Sequence, residues 1–184
     1  MTGPWVNVHV MTVGGLLVYF VGTLSLLANM VCTLRSAGRV PPAAVQMLVS
    51  YLWMIVPAFF APFIVLAPST VNGPAIEAAA TQGLVNGWVL GMIMGAFPRL
   101  IRTRPWRSDS ALFTGGGDDD SRDGSWVSVV ALNLGVALVW GPAIFDQPGP
   151  TRWLTLLGYG FIVIAWLPFL TTVWKHFTAQ AQEA

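Results

Sequence analysis

What most constrains this chain is the near-absence of charge along five long apolar stretches, each of roughly eighteen residues or more, the length a helix needs to cross bilayer hydrocarbon. Only 9% of its 184 residues are charged and 55% are hydrophobic, against about a quarter charged in an ordinary water-soluble domain. A surface so poor in ionic groups has to face lipid. The sequence therefore predicts an all-α, polytopic transmembrane helix bundle, one membrane domain over 1–184, with about five spans at 8–34, 43–67, 76–98, 126–145 and 153–174.

The connections are polar. Arg35 to Pro42 forms a short turn, and 99–125 forms the one long loop, whose glycine- and aspartate-rich core, Gly115 to Gly124, reads as solvated chain rather than a folded element. That acidic run lacks the spaced ligands and closing glutamate of an EF-hand, so no calcium site is expected there. Arg35 and Arg39 follow span one, Arg99, Arg102, Arg104, Arg107 and Arg122 follow span three, and Lys175 follows span five, whereas only Arg152 falls on the other side. By the positive-inside rule the N-terminus is outside and the loop 99–125 and the C-terminus are cytoplasmic, in a multi-pass protein of the cell membrane. Trp5, Trp106, Trp126, Trp153 and Trp174 fall near the span ends, where amphipathic rings prefer to lie. The first apolar run has no basic n-region and no small-residue cleavage site, so it is expected to remain as a helix.

The same composition narrows the function classes. Arginines at helix ends, with a net charge of +1, argue against a nucleic-acid partner; the lipid bilayer is the partner the sequence specifies. Cys32 is the single cysteine, which excludes an internal disulfide or a thiolate-caged metal within the chain. No Ser/His/Asp set, phosphate-binding loop or paired intramembrane carboxylates can be assembled, so hydrolytic or nucleotide-driven chemistry has no residues to run it. Pro57, Pro62, Pro142 and Pro168 fall within spans, where each removes a backbone donor and is expected to bend its helix.

Span three carries Gly83, Gly87, Gly91 and Gly95 at four-residue spacing, clearing one helix face of side chains. Either another helix packs closely there, or the face is open to a planar cofactor such as haem. Laid on span one at an offset of 73 residues, it aligns His9 with Gln82, Gly14 with Gly87 and Gly22 with Gly95, which suggests a parallel repeat of helix pairs. If the two copies stand side by side, His9, Glu77, Thr81 and Gln82 meet near the outer leaflet. A neutral imidazole there has the chemistry to ligate a haem iron, with Glu77 or Gln82 orienting its other nitrogen; the plain alternative is that His9 and Glu77 sit at the water interface. His176, at the other end of span five, lies about 30 Å away and cannot share that metal. Thr12, Asn29, Asn86 and Asn133 read as interhelical hydrogen-bonding groups.

The stretches His9 to Gly22 and Gln82 to Arg99, with a histidine at an outer helix end, spaced glycines and a closing Pro-Arg, resemble helices of the haem-copper oxidase subunit I-like superfamily, including NnrS-like membrane proteins. The resemblance covers these two helices, about a quarter of the chain. It implies a helical bundle holding haem through outer-leaflet histidines, with His9 in the ligand position and Gly14, Gly22, Gly87, Gly91 and Gly95 making room for the ring. Full members have more spans and several histidines, and this chain offers Gln82 where the repeat would supply a second. The expectation is thus a haem-binding membrane subunit without complete catalytic machinery, pairing with itself or another membrane subunit. The rivals are a structural or assembly membrane protein with no cofactor, and half of a dimeric transporter.

Overall fold

The computed structural model describes residues 5–36, 38, 40–66, 72–102, 124–145 and 151–183, and among these it is helical with no strand. Helix α1, Trp5–Ser36, runs through apolar sequence with no proline to interrupt it. It stops before Gly38, whose φ of 69° is the left-handed conformation that glycine adopts without strain. Helix α2, Pro42–Leu66, opens on a proline at a position where the missing N–H is no loss. The Pro41 carbonyl accepts from the amides of Ala44 and Val45, at 3.0 and 3.2 Å.

The third apolar stretch is one continuous rod over 73–102 in three parts: α3, Gly73–Gln82, a π-helical segment Gly83–Val89, and α4, Leu90–Arg102. Asn72 caps its start, its side chain accepting from the Ala75 amide at 3.3 Å. Helix α5, Trp126–Phe145, is entered through Gly124 (φ 101°), with the Ser125 hydroxyl accepting from the Val127 amide at 3.2 Å. Helix α6 is Thr151–Glu183. Pro57, Pro62, Pro142 and Pro168 all lie inside helices. The acidic segment expected as a loop, where no calcium site was expected, lies outside the described residues up to position 123, as do Trp106 and residues 146–150.

Helix α2 is the hub: α1, the rod and α5 all pack against it, and α5 pairs along its length with α6. The α5–α6 crossing is close enough to bring backbone onto backbone. A Cβ at Gly135 would meet the Gly158 carbonyl oxygen at 2.7 Å, and a Cβ at Gly158 would meet the Gly135 oxygen at the same distance. Around this crossing lies the core of Leu132, Val136, Val139, Ile162 and Ala165, joined by Met94 of the rod and flanked by Trp53, Phe161, Trp166 and Phe169. Outward, the helices present bulky apolar side chains to their surroundings, among them Val18, Val130, Val163 and Leu167, while Gln46 and Ser50 are buried. Three segments, Val10–Ser36, Pro42–Pro62 and Arg152–Thr171, are long and apolar enough to cross a membrane by length and composition, and Trp126–Pro142 is a shorter apolar helix.

Candidate functional site: a polar junction behind the glycine face

The glycine face of the rod is filled. Its neighbour is α2, and a Cβ added at Gly87 would fall onto the Trp53 ring. One at Gly91 would fall onto the Ser50 hydroxyl and lie 2.8 Å from Gln46 Nε2, and one at Gly95 would lie 2.6 Å from Met47 Cγ and 2.9 Å from the Ala43 carbonyl oxygen. Gly83 is looser, with Trp140 Cδ1 at 3.5 Å and Trp53 Cε3 at 3.8 Å from the same construction. The π-helical segment thus begins at one glycine facing Trp53 and contains the next. A helix with side chains at 87, 91 and 95 could not approach α2 this closely, which is the physical requirement those glycines meet.

Behind that face, polar side chains join three elements. Trp53 Nε1 donates to Asn133 Oδ1 at 2.7 Å, tying α2 to α5. Asn133 Nδ2 donates to the Val129 carbonyl at 2.7 Å and, more weakly, to Gln46 Oε1 at 3.5 Å. Ser50 Oγ donates to the Gln46 carbonyl one turn back at 2.6 Å, and Ser128 Oγ donates to the Ala165 carbonyl of α6 at 2.9 Å. Among the described residues, the buried donors Gln46 Nε2, Trp88 Nε1 and Trp140 Nε1 meet no partner, a departure from the usual pairing of buried polar groups. A cavity of about 20 Å³ sits by this junction, lined by Ala43, Gln46, Met94, Ser128 and Phe169 among others. Such a volume admits about one water molecule and falls far below the hundreds of Å³ of a cofactor pocket.

Among the sequence-predicted site residues that the structure describes, Gln82 and Glu77 on the rod are not brought against Gly14 and Gly22 of α1. Helix α1 packs on α2, so α2 takes the position beside the rod that span one was expected to hold. Gln82 and Glu77 are exposed; the Gln82 Oε1 accepts from Asn86 Nδ2 one turn on, at 2.9 Å, and Thr81 Oγ1 donates to the Glu77 carbonyl at 3.1 Å. Gly14 and Gly22 are exposed with nothing within 4 Å of an added Cβ. His9 belongs to α1 and His176 to α6, and both side chains lie outside the described residues. A haem ring therefore does not fit the face of Gly87, Gly91 and Gly95, which Trp53, Ser50, Gln46 and Met47 already occupy. Asn133 was legible as an interhelical partner, whereas Gln46 and Ser50 gave no signal: each is one polar residue within an apolar stretch, and nothing in sequence tells which neighbour it meets.

No family model, curated protein or solved structure matches this chain.

Proposed function

We propose that the chain is a five-span integral membrane subunit with a structural or assembly task, its N-terminus outside and its C-terminus cytoplasmic. The observation that carries this reading is the use made of the glycine face: its small residues seat α2 rather than leave a slot, and the polar groups behind it tie helix to helix. Bulky apolar side chains turned outward support lipid as the solvent, because water-soluble monomers rarely expose such surface in large patches. Two further crossings add to the three long apolar helices. Trp126–Phe145, 20 residues long, spans about 30 Å at the helical rise, which is the thickness of the hydrocarbon core, and the rod over 73–102 is longer still.

The resemblance to haem-copper oxidase-like helices asks for a ring slot beside His9, and the occupied glycine face favours the packing role over the haem-binding one. Purification in mild detergent from haem-replete cells tests the choice. The structural reading predicts a colourless, well-folded protein. A Soret band that disappears in His9→Ala overturns it and restores the haem-binding subunit.

A further inference from the structure

The polar junction leaves one donor over, and its neighbours set which one. An indole N–H only donates, so Trp53 holds the Asn133 amide with Oδ1 toward itself and Nδ2 toward Gln46. Gln46 then has to present Oε1 to that Nδ2, because turning either amide over sets donor against donor. Gln46 Nε2 is what remains. It meets no partner among the described residues, and its side chain is 2% exposed. An unmet buried donor costs the fold the full desolvation of the group, more than a typical hydrogen bond contributes.

Gln46 forms part of the wall of the cavity of about 20 Å³. Its Nε2 lies by Gly91, one turn from Met94, the residue of the rod in the same wall. Acceptors belong to that wall too. Ser128, buried in α5, gives its proton to the Ala165 carbonyl, so toward any further group its Oγ can only accept. Pro168 of α6 has no N–H for the Ile164 carbonyl one turn back, which leaves that carbonyl without its helical donor. In a bundle surrounded by lipid, carbonyls freed by proline are met by neighbouring side chains or by ordered water. The size and charge of the cavity select the ligand. Its volume suits about one water molecule. Its wall carries no cationic side chain among the described residues, so an anion would be left without a counter-charge.

We propose that the cavity is the binding site of a single ordered water, which accepts from Gln46 Nε2 and donates to Ser128 Oγ and to the Ile164 carbonyl. Three such bonds are about the usual complement of an internal water. The water joins α2, α5 and α6, and it extends the packing role proposed above from side chains to solvent. Its failure leaves that role standing, and the haem test is untouched by it.

Water-edited solid-state NMR of the full chain in proteoliposomes, with nitrogen-labelled glutamine and leucine, tests the site without altering it. The Gln46 side-chain resonance is identified by its loss in Gln46→Met. Magnetisation is expected to pass from water to the Gln46 amide several-fold faster than to the backbone amide of Leu132, which lies fully buried in the adjoining core. In Ser128→Ala, which removes one acceptor, that transfer is expected to fall several-fold. Transfer to Gln46 no faster than to Leu132 overturns the proposal: either the donor is dry, or the interior is wet throughout and holds no particular site. Transfer that is fast yet indifferent to Ser128→Ala overturns the bridge between α2 and α5. Should Ser128→Ala fail to fold, the comparison of Gln46 with Leu132 in the unaltered chain still decides.

Discussion

At the scale of single residues, glycines of the same type do opposite things. Gly91 is pressed against Ser50 and Gln46, so even a methyl group has nowhere to go, whereas Gly14 faces open space. Gly91→Ala is expected to destabilise the fold by about 1–3 kcal/mol, the usual cost of overpacking. Gly14→Ala is expected to be neutral or to stabilise by about 0.5–1 kcal/mol, because alanine surrenders less backbone freedom in a helix. Thermal unfolding of the two variants in the same detergent checks the contrast. The sequence shows that both positions are small and helical; it does not show which has a neighbour, since four-residue spacing describes a helix face and not what lies against it. Asn86 makes the same point from the polar side: it reads as an interhelical group, yet its amide bonds back to Gln82 on its own helix.

Among the elements, the helix limits were largely legible, and the partners were not. Trp126–Phe145 coincides with the expected fourth span, and α1 and α2 agree with theirs to within a few residues, because a change from apolar to polar sequence, a glycine or a proline marks each end. The π-helical segment left no trace in composition. Nor did the α5–α6 crossing, since no regular spacing marks Gly135 or Gly158 as a contact, and only the fold shows their backbones touching. That crossing should tolerate no added side chain. Gly135→Val or Gly158→Val places a branched side chain against a carbonyl oxygen that cannot move aside, so either is expected to lower stability by about 1–3 kcal/mol or more and to part α5 from α6. Limited proteolysis between 146 and 150, followed by a test of whether the two fragments stay together in detergent, reads that loss directly.

For the whole molecule, composition already implies lipid as the solvent, and the outward Val18, Val163 and Leu167 agree with it. The proposed five crossings, with the N-terminus outside, make a specific prediction for cysteines introduced singly into Cys32→Ser. Ser110→Cys should react with a membrane-impermeant maleimide only from the cytoplasmic side, and Gln147→Cys only from the outside. What the sequence left open was whether the spaced glycines clear a slot or seat a helix, because removing side chains is the first requirement of both.

That choice has a direct measurement. A Cβ at Gly95 falls 2.6 Å from Met47 Cγ, so cysteines at the two positions would hold their Cβ atoms within about 4 Å, the separation of a disulfide. In the Cys32→Ser, Met47→Cys, Gly95→Cys protein, mild oxidation is predicted to join α2 to the rod, so that a protease site placed between 67 and 72 releases fragments only after reduction. If the sulfurs stay free in a membrane-embedded, folded protein, the glycine face is not closed by α2, and the slot for a ring has to be reconsidered.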